Sequence, residues 1–101
     1  MKHFYNTQEI IDFARLQGSQ WFAPFNMRYF SCRVHHAVYG GCYFVTSEQY
    51  NWKAPRLYTV RKVNQDGRIE TIGDFQGYDT RQKAHNAAKR YATGEETCTS
   101  L

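Results

Sequence analysis

Among 101 residues there are only three cysteines, Cys32, Cys42 and Cys98, and no two of them are spaced as CxxC. An odd, scattered set offers no disulfide framework and fits reduced thiols in a cytoplasmic protein. No apolar run approaches the length of a membrane span, and the opening MKHFYNTQEI lacks an apolar stretch followed by small residues. Neither a membrane anchor nor a secretory signal is therefore expected. Repeats, linkers and low-complexity tracts are also missing, so the expectation is a single domain over residues 1–94 with a loose tail at 95–101.

Acidic residues are missing from one place in particular. Between residues 80 and 94 there is no Asp or Glu, yet the segment holds Arg81, Lys83, Lys89 and Arg90. Elsewhere the remaining nine Lys and Arg are matched by nine Asp and Glu, so the whole formal charge of +4 lies in this segment. A local excess of this kind suits a phosphate-rich or acidic partner.

What is abundant is aromatic. Seven Phe, eight Tyr and two Trp give 17% aromatic content within 42% hydrophobic residues, ample for a packed core. NTQEIIDFARLQG has Asn6 as N-cap, Glu9 three residues on and Gly18 as a stop, and its stripe of Ile10, Phe13 and Ala14 predicts a helix over residues 7–17. SQWFAPFN reads as a loop. MRYFSCRVHH and CYFVTSE flank a Gly pair and predict a hairpin, and RLYTVRKV and RIETIGDF flank Asp66-Gly67 and predict another. In RLYTVRKV neither alternate set is purely apolar, so the pattern leaves the core face of that strand open. The closing helix takes Asp79 as its expected N-cap and packs through Ala84, Ala87, Ala88 and Tyr91, with Gly94 as its end. The expected class is α+β, in the order α-β-β-β-β-α, with an antiparallel four-stranded sheet and two helices on one face.

Catalytic chemistry finds little support in these residues. Cys32, His35, His36 and Cys42 are the candidate metal ligands, but on a strand positions 32 and 35 point to opposite faces. No orienting acid or nucleophile elbow surrounds a Cys–His pair, and VYGGCYF lacks the later Gly, Lys and Ser/Thr of a phosphate-cradling loop. The expectation is a protein without catalytic residues, metal or cofactor. The best binding candidates are Arg81, Lys83, His85, Lys89 and Arg90 on the last helix, with Tyr29, Tyr43 and Tyr58 as aromatics able to stack on bases.

Residues from Ala54 to Ala92, two strands followed by an Ala-x-x-Ala-Ala helix, resemble the C-terminal half of a double-stranded-RNA-binding domain. That resemblance implies phosphate contacts from the helix start, where Arg81 matches and Lys83 lies nearby. Gln82 and His85 stand where that family has further lysines, and YNWKAPR replaces its Gly-Pro-x-His loop. The same half is similar to the sheet-plus-helix modules of phage integrase arms. Through MRYFSCRV, VYGGCYFVTSE and YTVRKVNQDGRIETIGDFQGY the chain as a whole resembles a group of small phage and prophage proteins. This implies a non-enzymatic accessory protein of the host cytoplasm that binds a host protein or nucleoprotein complex, such as an anti-CRISPR or other anti-defence inhibitor. Direct binding of duplex DNA or RNA is the alternative, and the oligomeric state is left open.

Overall fold

The structure, a computed structural model, describes residues 3–29 and 31–94. The elements are α1 (Thr7–Leu16), α2 (Pro24–Tyr29), β1 (Arg33–Tyr39), β2 (Tyr43–Glu48), β3 (Leu57–Val63), β4 (Ile69–Ile72) and α3 (Arg81–Thr93). The four strands form one antiparallel sheet in the order β1-β2-β3-β4. The expected α+β class and the meander are thus present. One helix was not expected: α2 occupies part of the segment read as loop and the start of the segment read as strand, so β1 begins only at Arg33. The tail assigned to residues 95–101 lies outside the described residues.

Phe44 and Val45 are neighbours on β2, and alternation sends their side chains to opposite faces of the sheet. Phe44 joins Phe4, Ile10, Ala14, Phe22 and Val63 in one core, whereas Val45 joins Val60, Ile72, Ala84, Ala87 and Ala88 in another. The expectation that both helices share a face is therefore corrected. Helix α1 covers one face and α3 the other. This also explains why β3 has no apolar and polar side: a sheet buried on both faces loses the alternation that would betray its core.

Helices α1 and α3 each have a local reason to begin where they do. Asn6 caps α1 by accepting from the Glu9 amide at 3.0 Å, and the Glu9 carboxylate accepts from the Tyr5 amide at 2.7 Å. The cap of α3 is Thr80 rather than Asp79: the Thr80 hydroxyl accepts from the Lys83 amide at 3.2 Å, while Asp79 takes the Lys83 ammonium at 2.9 Å. Asp66-Gly67 makes the expected β3–β4 turn, with Gly67 at φ +85, and a side chain there would collide with Gln17 at the end of α1. Gly40, in the β1–β2 turn at φ +59, lies so close to Ala92 that an added Cβ would sit 2.8 Å from the Ala92 Cβ.

Strand β1 is irregular. Val34 faces Thr46 and Val38 faces Phe44, so the stretch between the two valines carries two more residues than the β2 segment opposite. Such a bulge bends the strand and re-aims its side chains. On the outer edge of the bulge Ala37 pairs with Asn6, which brings the start of α1 onto the rim of the sheet.

Candidate anion-binding groove

Two clefts carry polar chemistry, one on each face. On the α1 and α2 face, Glu48 and Arg61 are only 2% and 6% exposed and lie 3.2 Å apart. Both are pinned by threonines. Glu48 accepts from Thr46 Oγ1 at 2.5 Å and Thr59 Oγ1 at 2.7 Å, while Arg61 donates to Thr46 Oγ1 at 3.0 Å and to Thr71 Oγ1. The Arg61 guanidinium also lies 5.1 Å from the Trp21 ring and 5.4 Å from that of Phe75. Trp21, Met27, Tyr29 and Phe75 wall an open cleft of about 370 Å³ above this pair. The charges on its floor already bind each other, so the cleft presents a neutralised polar patch.

Cys32 joins that network by donating to Glu48 Oε2 at 3.6 Å. Burial, and then the Glu48 charge, push its thiol up to about 12. It is held as a thiol and is a poor nucleophile. His35 sits across the sheet, against His85 of α3. The structure thus separates two of the four residues considered as metal ligands, and among the described residues no group of three or more His, Cys, Asp or Glu is placed to hold a metal ion.

The other cleft runs between β1 and α3. Its upper half is lined by Ala37, Tyr39, Arg81, Gln82, His85 and Lys89 and has a volume of about 410 Å³. Its lower half is lined by residues that include Arg33, His35, Arg56, Tyr58 and again Arg81, with about 330 Å³. Arg81 lines both halves, so they adjoin, and among the described residues their combined lining holds four permanent cations and no carboxylate.

The groove is built by sequence-local causes. On α3, Arg81, His85 and Lys89 recur every fourth residue and share a side of the helix, displaced from the alanine stripe that packs on the sheet. On β1, the bulge carries His35 against the helix. Arg56, just before β3, is fixed by donating to the Ser47 carbonyl at 3.0 Å and the Ser31 carbonyl at 3.0 Å. Lys89 lies 5.8 Å from the Tyr39 ring.

At the centre three side chains are strung together. Tyr39 Oη and His85 Nδ1 are 2.7 Å apart, and His85 Nε2 and His35 Nδ1 are 2.9 Å apart. The two imidazoles meet edge to edge through that bond, with centroids 5.1 Å apart and planes 25° apart, and Tyr58 meets His35 edge-on at 5.7 Å. Burial first, then His85, Arg81 and Arg56, lower the His35 imidazole to about 4. Burial, then Arg81 and Lys89, lower that of His85. Near neutral pH both rings are uncharged, so the positive potential comes from the arginines and Lys89.

Of the five residues expected on the basic face, the structure brings Arg81, His85 and Lys89 into the groove and leaves the others out. Lys83 turns to Asp79, which neutralises it, and Arg90 is absent from the lining. Arg33, His35, Tyr39 and Arg56 complete the site and were not read as part of it. The alternation of Arg33 and His35 on one strand is visible in the sequence, but which face of the sheet α3 covers is not, and that face decides whether the two residues meet the helix.

Fold and groove together define a small α+β protein with a basic cleft at the edge of its sheet. The chain belongs to the DUF7447 family, a family of unknown function, whose model matches residues 4–89. Searches of curated proteins and of solved structures give no match. Among the described residues no helix is long and apolar enough to cross a membrane.

Proposed function

We propose that this protein is a non-enzymatic binding module whose β1–α3 groove grips the phosphate backbone of a nucleic acid, free or within a nucleoprotein complex. The observation that carries this is the groove lining: Arg33, Arg56, Arg81 and Lys89 with no acid among them. In a protein whose other charges balance, unopposed cations along one cleft attract a linear polyanion and release its counterions. The resemblance to phage proteins suggests the setting, an anti-defence inhibitor such as an anti-CRISPR in the host cytoplasm, acting on the nucleic acid of a host effector complex. A host protein with an acidic surface is the second reading. It is favoured by the β2–β3 loop, where Trp52, of a residue type that often anchors interfaces, is 82% exposed.

Fluorescence anisotropy with labelled duplex RNA and duplex DNA tests the reading. Four phosphate contacts give a slope of log K against log salt of about −3 to −4 on duplex DNA. Arg81→Glu and Lys89→Glu are expected to abolish binding, whereas Lys83→Glu, a change outside the groove, leaves it nearly intact. Binding that ignores salt, or none to either duplex, rejects the nucleic-acid reading. Capture of a host protein that survives nuclease treatment would then favour the second.

A further inference from the structure

The Tyr39–His85–His35 chain has a property that a simple row of arginines lacks. Its two hydrogen bonds consume two protons, and the neutral groups carry three between them: one on Tyr39 and one on each imidazole. One donor is left over. It projects either from His35 Nε2 or from Tyr39 Oη, according to the direction in which the chain is polarised. With one more proton the chain still closes: His35 Nδ1–H donates to His85 Nε2, and His85 Nδ1–H donates to Tyr39 Oη. Both ends then carry a donor, and the chain carries a positive charge.

The residues at the two ends of the Tyr39–His85–His35 chain line different halves of the groove. His35 lines the half with Arg33, Arg56 and Arg81, and Tyr39 lines the half with Arg81 and Lys89. We infer that this chain is a phosphate seat that takes up one proton as the anion binds, so that the groove holds a phosphodiester with the His35–His85 pair as a shared imidazolium. This rests on the reading of the groove as a phosphate-binding site and adds the means by which the site tightens. The proton comes from solvent and returns to it on release.

The surroundings give the coupling its sign. His35 is faced by His85 and Arg81 from α3, by Arg56 from the segment before β3, by Tyr58 from β3 and by Glu48 from β2. His85 is faced by Arg81 and Lys89 on its own helix and by His35 and Tyr39 from β1. In the free protein burial first, and then the surrounding cations, keep the pair neutral. Phosphates of one backbone, one in each half, offset the repulsion of those cations and accept one end donor each, which favours the charged chain. Protonation is therefore easier in the complex than in the free protein, and affinity rises as pH falls.

The test is isothermal titration calorimetry of the full chain with a short DNA duplex, in buffers of different ionisation enthalpy, and with inorganic phosphate in a parallel arm. Expected are proton uptake that grows toward one per site as pH is lowered from neutrality and an affinity that rises at most about tenfold for each pH unit. His85→Gln is expected to remove the uptake while keeping the salt dependence set by the four cations. Ring ¹⁵N shifts of the unaltered protein, read with and without duplex, give the same answer where the variant is unstable. Binding without proton uptake overturns the seat and leaves the groove reading standing. Uptake with inorganic phosphate but not with the duplex supports the seat and overturns the nucleic-acid reading. Absence of binding to both overturns the two together.

Discussion

Glu48 is where one side chain matters most to stability. Its carboxylate is almost fully buried and takes bonds from Arg61, Thr46, Thr59 and Cys32. Glu48→Ala would leave the Arg61 charge buried without its partner, a loss of about 3–5 kcal/mol. Against a total of roughly 5–15 kcal/mol for a domain, that is close to unfolding. Urea denaturation should show it, and replacing both Glu48 and Arg61 by apolar residues should cost less than the single change. A single change costing under about 1 kcal/mol would mean that the pair is not desolvated as the structure has it. None of this was legible in the sequence, where Glu48 ends an apolar strand and Arg61 interrupts another. Only the β2–β3 register, which sets Phe44 against Arg61 and Thr46 against Thr59, brings them together.

At the level of elements, the signals that worked were local. Asn6 and Glu9 start α1, Asp66-Gly67 turns β3 into β4, and the alanine stripe sets the packed side of α3. The signals that failed depend on what lies across space. Helix α2 is six residues long and buries none of its residues deeply, so it has no apolar period to read. The bulge in β1 likewise leaves no mark on alternation and falls at His35, whereas Arg33, still in register with Ser47, joins the groove through the face that α3 covers. Asp79 and Thr80 are both good caps, so the pattern does not separate them, but the Asp79 carboxylate is engaged by Lys83 and the cap falls to Thr80. Thr80→Ala should therefore destabilise the protein by about 1 kcal/mol, and Asp79→Ala by much less. Thermal or urea unfolding of the two variants separates the assignments.

At the scale of the whole molecule, charge and pH act together. The sequence assigns all the excess charge to residues 80–94, yet two of the four groove cations, Arg33 and Arg56, come from outside it, and Lys83 and Arg90, inside it, line no part of the groove. Net charge by segment is a poor map of potential when strands from elsewhere supply the facing wall. The same groove makes the free protein sensitive to acid. His35 titrates near 4 when folded, against the ordinary imidazole value of 6.5, so the unfolded chain binds more protons between these limits. Its contribution is fully present above about 6.5 and is lost as pH falls toward about 4, with His85 acting in the same direction. The melting temperature should decline across that window, and His35→Gln should flatten the decline. A profile unchanged by that substitution would show that the ring titrates alike in both states.

Asn6 gives the two sides of this protein a mechanical connection. Its side chain caps a helix on one face, and its backbone pairs with the bulge that aims His35 into the groove on the other. Slack in the first turn of α1 therefore reaches the groove along the rim of the sheet as well as through the packing of α1 on β1. The groove wall is only as firm as a helix that lies on the opposite face.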